Sequence, residues 1–500
     1  MKWRLFALLL CSCAALLQAD TFTVTTIDDN GDDAQPTPGS LREAILQANA
    51  LNGPSTIQFT ATGIIQPPKD LPDLEQPITI DGYLGAPGGA KPNDAPIHEA
   101  NNAVITVEIR GVGPGYMQPG PIWGLCLEAP GCIVRGIAIS NFAATNDSGI
   151  FGLGGGVGLL IGVEHCKVEG CFIGTDTTGT LSLPNMYGVL IQDDHNTIGG
   201  HDPGARNLLA GEFNRQGTIA NVGNGIVIEG NTIGLDVTGK RVLCPGQQIG
   251  ISHLFVTDVT IKNNIIAGYG SANVLCTAVD KLVIAGNTIG ADLAPSGVGI
   301  ALSNDNLAYP TSVQIFDNQI SGNTYGIKLG ENSYSDFPYV GVQIFRNVIG
   351  KSELDGIWLK FAQDTYIEGN TISENGRHGV RINKASHSIM TGNKILKNGG
   401  DGIRIGSSGV GLQAFGDVIG SAKSKDGNVI SYNKGNGIKM VSYVENEVII
   451  GNEITHNGGM GLDQGLFSSN NSLGTFPSRG RMLIIGELSL SNTISDNGKP

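Results

Sequence analysis

One short phrase keeps returning in this chain, and its period limits what the chain can fold into. Gly-Asn-x-Ile occurs as GNTI at 230, 286 and 369, GNKI at 392, GNVI at 427 and GNEI at 451, with DNQI at 317 and RNVI at 346 as variants. A second phrase, Gly followed by Ile or Val, falls between them: GIKL at 326, GIWL at 356, GVRI at 379, GIRI at 402 and GIKM at 437. The steps from Gly356 to Gly379 and from Gly379 to Gly402 are both 23 residues, and the others are longer by loop-sized insertions. A fixed period of this length marks a stack of similar units.

Within a unit the runs are short and alternating, as in YIEGNTIS at 366–373, with every second residue apolar and Asn or Gly between runs. That is strand chemistry with one buried face, and no helix of useful length fits between the strands. A chain that repeats strand, turn and strand in this way coils into an all-β parallel β-helix (a solenoid) whose inward Ile, Val and Leu stack along the axis. Asn suits the corners because it tolerates left-handed backbone and its amide can bond the same amide one coil away. Glycine at 74 of 500 residues fits many turns, while the high Val and Ile content does not suit a linker. Residues 126–463 have room for roughly a dozen coils at the usual strand spacing.

An open coil end exposes apolar side chains, so a cap is expected. In SLREAILQAN, Ser40 and Glu43 form a capping box, and Leu41, Ala44, Ile45 and Ala48 share one face of a short amphipathic helix. Residues 1–19 read as a secretory signal peptide: Lys2 and Arg4, an apolar run to Leu17, then Ala19. Lipidation at Cys13 is the other reading. The expected organisation is signal peptide 1–19, cap and first coils 20–125, β-helix 126–463, and a C-terminal cap or further module over 464–500. No later stretch is apolar enough to span a membrane, so a soluble or surface-attached monomer is expected.

PGSLREAILQANA, ITIDGYLGAPGGAKPN, VEGCFIGTDTTGTLSLPN and NTIGGHDPGARNLLAG resemble the secreted bacterial β-helix repeat proteins with an SLREA-type N-terminal motif, within the pectin-lyase-like superfamily. The resemblance implies right-handed coiling and an extracellular or outer-surface setting. It assigns no catalytic residues, so function has to come from the chain itself.

The net charge of −14 argues against nucleic acid as a general partner. Local chemistry is different. The residue two after each Gly of the second phrase points outward. In the first half these residues are Leu160, Leu190, Val227, Ser252 and Ala301; in the second, Lys328, Trp358, Arg381, Arg404 and Lys439. An apolar strip gives way to a basic one with an aromatic. Stacked like charges repel, and an anionic polysaccharide would relieve them, with Trp358 stacking on a sugar ring. A solvated face of splayed side chains is the plainer reading.

The residue before each of those glycines gives Asp355, His378 and Asp401 on three consecutive coils. A histidine between two carboxylates is expected to hold its proton more tightly. Two carboxylates about 9.6 Å apart at the backbone suit the acid and base of an inverting glycosidase. Insertions at 331–339 and 407–416 could wall a cleft. Asp, Asn and His before Gly are also ordinary turn formers, so the column reads equally as punctuation.

Three further patterns carry chemistry-bearing residues. Cys132 and Cys166 fall at equivalent places in consecutive repeats, as a disulfide or as stacked thiols. Asp176, Asp236 and Asp292 occupy matching loops and read as Asx turns before Ca²⁺ ligands. The DDH at 193–195 is not repeated by its neighbours, no zinc spacing is visible, and no metal or cofactor is expected. The leading expectation is a cell-surface or secreted protein whose lateral face binds polysaccharide. A hydrolase using Asp355 and Asp401 tuned by His378, a lyase using Arg381 or Arg404, and a purely structural or adhesin passenger are the alternatives.

Overall fold

The computed structural model describes residues 20–113, 123–142, 156–210, 217–243, 245, 247–290, 296–304, 311–330, 338–406, 414–421, 426–441, 444–445, 447–464 and 492–498. The signal-peptide segment, Cys13, Asp292, Cys244, most of both expected cleft walls and most of 464–500 lie outside the described residues.

The described residues form three sheets of 15, 15 and 16 strands, and each strand pairs in parallel with its counterpart one coil away. The chain visits the first, second and third sheet in turn, then starts again one layer further on. Along the first sheet, Ile198, Ile228, Ile261, Ile284 and Ile315 stand in register. Along the third, Ile300, Ile327, Ile357, Val380 and Ile403 do the same. All are fully buried, as an alternating strand with one inward face requires.

The corner asparagines form a continuous ladder. Asn264 Oδ1 accepts from the backbone N–H of Asn231 at 2.9 Å and from its Nδ2 at 3.0 Å; Asn287 does this for Asn264, and Asn318 for Asn287. The amide contact expected from the repeat is therefore present. Its left-handed geometry is not at Asn. The residue before it carries the positive φ: Gly230 at 71°, Gly286 at 64° and Gly369 at 62°, with Asp317 and Arg346 taking it where Gly is replaced. Gly recurs there because it enters this region without steric cost.

The cap also forms. Ser40 Oγ accepts from Glu43 N–H at 3.1 Å, Glu43 Oε2 accepts from Gly39 N–H at 2.5 Å, and helix Leu41–Asn49 buries Leu41, Ala44, Ile45 and Ala48 in the coil core. Arg42, on the same helix, is buried by its pair with Asp29 at 2.8 Å and by bonds to the carbonyls of Asp70 and Lys69. No helix among the described residues is long and apolar enough to cross a membrane.

Candidate functional site

The third sheet carries the outward column predicted from the repeat. Ala301, Lys328, Trp358, Arg381, Arg404 and Lys439 pair in register on successive strands, and Asp463 ends the series. The first half of the column is mostly apolar, with Leu160 and Leu190 in one cluster with Val157 and Tyr187, and with Ser252 as a buried polar member and Leu275 partly buried. Val227 does not belong to it. Val227 lies on the first sheet, paired with Thr197 and Thr260, and the third-sheet position is held by Ala220. The Gly-Ile of GNGIVIEG mimics the third-sheet phrase but sits at a different corner.

Beside this column stand Asp355, His378 and Asp401, one per coil, continued by Asn436 and Met460. Each side chain accepts the backbone N–H of the next coil's equivalent residue. Asp355 Oδ1 takes that of His378 at 3.1 Å, His378 Nδ1 that of Asp401 at 3.0 Å, and Asp401 Oδ1 that of Asn436 at 2.9 Å. Asn436 Oδ1 takes that of Met460 at 2.7 Å. These are turn bonds made between coils.

The expected effect on His378 is reversed. Burial, reinforced by Arg404 and Arg377, outweighs the attraction of Asp355 and Asp401 and pulls His378 down to about 4. Geometry agrees, because a nitrogen that accepts an N–H carries no proton. The 3.5 Å approach of His378 Nδ1 to Asp401 Oδ2 is thus not an ion pair at neutral pH.

The two columns lock together. Arg377 grips fully buried Asp355 with two bonds, the Nε contact at 2.8 Å, and Arg381 Nη1 lies 3.8 Å from the same carboxylate. Arg404 Nη1 donates to Asp401 Oδ2 at 3.0 Å, and Lys439 Nζ lies 3.1 Å from Asp463. Counter-charge for the basic column is therefore supplied by the protein, where the sequence suggested that a ligand would be needed. Trp358 is also engaged. Lys328 Nζ and the Arg381 guanidinium each lie 4.8 Å from its ring centroid, and Tyr325 tilts against it at 5.2 Å. Its indole N–H is buried without an acceptor among the described residues.

The repeat pattern missed Arg377, whose role depends on side-chain reach and not on column position. It also missed Phe361 and Lys384, which pair on adjacent strands beside Trp358 and Arg381, with Lys384 Nζ 4.3 Å from the Phe361 ring.

Arg381 and Arg404 keep donors to spare. Arg381 bonds Asn383 Oδ1 at 2.9 Å through Nε, Arg404 uses Nη1 on Asp401, and the side chains are 23% and 30% exposed. Each guanidinium has five N–H donors, so both keep outward-facing capacity one strand apart.

Asp176 and Asp236 accept from the backbone and hydroxyls of their own loops, as Asx turns do. Cys132 and Cys166 sit on neighbouring coils as free, buried thiols, alongside free Cys126, Cys171 and Cys276. The DDH motif, expected to stand alone, faces a counterpart one coil away: His195 stacks on His165 at 5.3 Å between ring centroids.

Residues 298–476 match the protein family described as the right handed beta helix region, and the fold is a right-handed parallel β-helix. No curated protein matches the chain. Solved structures with a similar trace include the A-module of a mannuronan C-5 epimerase from Azotobacter vinelandii, at 13% identity over 92% of this chain and 94% of that one, TM-score 0.43. Others are the Dettilon tailspike protein, at 13% identity over 84% and 68% with TM-score 0.45, and the surface adhesin PfbA of Streptococcus pneumoniae, at 14% over 79% and 94% with TM-score 0.39.

Proposed function

We propose that this protein is exported through its N-terminal apolar segment and binds an anionic polysaccharide on the third sheet, over the coils that carry Lys328, Trp358, Arg381, Arg404 and Lys439. The observation that carries this reading is the pair of guanidiniums on adjacent strands, Arg381 and Arg404, each anchored through one edge and partly exposed to solvent. Anchoring lowers the entropy lost when a ligand is bound, and a planar fork matches carboxylate and sulfate oxygens better than a lysine does. Trp358 serves here as a rigid spacer for the cations, its faces already engaged by Lys328 and Arg381.

Acid–base catalysis fits less well. Asp355 is fully buried and doubly bonded to Arg377, Asp401 is bonded to Arg404 and to the backbone, and His378 Nδ1 is occupied. A general acid has to reach the glycosidic oxygen with a proton.

Affinity electrophoresis through gels containing pectin, alginate or a sulfated glycan tests the reading. The wild type should be retarded by at least one, less so at high salt, and the Arg381→Ala, Arg404→Ala double variant should migrate as in an empty gel. Retardation that survives in the double variant would discard this face as the binding surface. If nothing retards the wild type, the structural passenger remains. Release of reducing ends or of unsaturated products would bring back the hydrolase or the lyase.

A further inference from the structure

We propose that Glu164, His165 and His195 form a surface site for a divalent transition metal, Zn²⁺ in the first instance, which ties two consecutive coils together. The site is independent of the basic column. The strand registers that pair Lys167 with Thr197 place His165 and His195 at the same corner of adjacent coils. Both residues hold left-handed backbone, φ 61° and 58°, so they leave the corner in the same way. Their rings stack with a 30° interplanar angle, and one oxygen serves both: Glu164 Oε2 lies 3.6 Å from His165 Nε2 and 4.0 Å from His195 Nδ1. All three donor atoms fall within 4.8 Å of one another.

Those distances suit a metal better than a hydrogen-bonded triad. They are too long for N–H···O bonds. Ligands about 2.0–2.1 Å from a tetrahedral Zn²⁺ stand roughly 3.3 Å from each other, so closing onto an ion asks the nearer pairs to move by less than about 1 Å. Two imidazoles and a carboxylate are a donor set that Zn²⁺ accepts, with a further position left for water. All three side chains are about half exposed, so an ion has access. Neither neighbouring coil crowds the stack. Gly225 follows in the series, and a side chain added there would meet His195; Gly131 precedes it with open space around its Cβ position. A single-sequence search for ligand spacing misses the cluster because 30 residues separate the histidines and only the coil brings them together.

The two flanking glycines also supply clean test variants. His165→Gly and His195→Gly place at a left-handed corner the residue that adjacent coils already use there, so neither should harm folding. Isothermal titration of the full chain with ZnCl₂ at neutral pH should show one saturable site. Each glycine variant and Glu164→Gln should weaken it by about tenfold or more, while His201→Ala, which removes an exposed histidine elsewhere, should leave it unchanged. Co²⁺ in place of Zn²⁺ should give visible absorption that is lost in the double glycine variant. Absence of saturable Zn²⁺ binding by the wild type, or its persistence in the double glycine variant with circular dichroism unchanged, overturns the site.

Discussion

His378 Nδ1 accepts the backbone N–H of Asp401 from the next coil at 3.0 Å, which makes the imidazole a structural acceptor in a position that Asp and Asn occupy elsewhere in the same column. Its folded pKa of about 4 lies below the ordinary value of 6.5. Between these two values the unfolded chain takes up the proton first, so His378 lowers stability as pH falls from about 6.5 towards about 4, by a ceiling of about 3 kcal/mol. His378→Asn keeps an acceptor and removes the titration. Urea denaturation of the two proteins at several pH values should show the variant losing less stability across that interval. Parallel curves would mean that the fold does not lower the His378 pKa.

Arg377 and Asp355 form a pair in which one partner is fully buried and the other is about one-third exposed. Removing Arg377 leaves the buried carboxylate with the more distant Arg381 as counter-charge, at a cost of about 2–4 kcal/mol after allowance for the exposed guanidinium. Asp355→Asn keeps the acceptor for His378 N–H and should cost less. In the double variant the loss should fall below the sum of the two, as expected for groups in contact. Additive losses in denaturant titrations would show that the pair is not coupled.

The fold was legible where backbone period and side-chain period agree. The 23-residue steps place Trp358, Arg381 and Arg404 in register because each coil there carries no insertion. The same rule misplaced Val227, since two different corners of the coil can carry Gly-Ile, and it passed over Leu275 because NVLCT has Asn where the phrase has Gly. Energetics were less legible. Nothing in the spacing says that Asp355 meets Arg377, or that burial outweighs two carboxylates at His378, because both depend on how far a side chain reaches and how much water it loses. The register that sets Cys132 beside Cys166 repeats one coil further on and sets His165 beside His195, but the spacing alone does not say that the two rings stack.

Asn370 sits mid-ladder. Its Oδ1 accepts from Asn347 N–H and Nδ2, and its own Nδ2 donates to Ile344 O and Asn393 Oδ1. Asn370→Ala leaves several buried polar groups without partners at about 1–3 kcal/mol each, so a loss above about 3 kcal/mol is expected. Asn492 is half-buried and ends the described ladder, and Asn492→Ala should cost far less. Thermal unfolding of both variants checks the order. Equal losses would mean that the ladder does not act cooperatively along the coil.

Asp417 and Glu447 are buried on adjacent coils, in the column where Thr365 and Ser388 stand earlier. Asp417 Oδ1 accepts from Ser388 N–H at 2.7 Å. Burial outweighs this bond and pushes Asp417 up to about 7, while burial and the charge of Asp417 raise Glu447. A carboxyl whose folded pKa is raised keeps its proton in the folded state after the unfolded chain has lost it. Stability therefore falls as pH rises from about 4 to about 7, with a ceiling near 4 kcal/mol for Asp417. The direction is opposite to that at His378, so between about pH 4 and about pH 6.5 the two contributions largely offset each other. Asp417→Asn preserves the Ser388 bond, and near pH 8 it should be more stable than the wild type, with the gain vanishing near pH 4. Glu447→Gln should act in the same direction, and the double variant should gain less than the sum, because removing one charge already relieves the other. A gain that is the same at both pH values would mean that the fold does not raise the Asp417 carboxyl above its unfolded value.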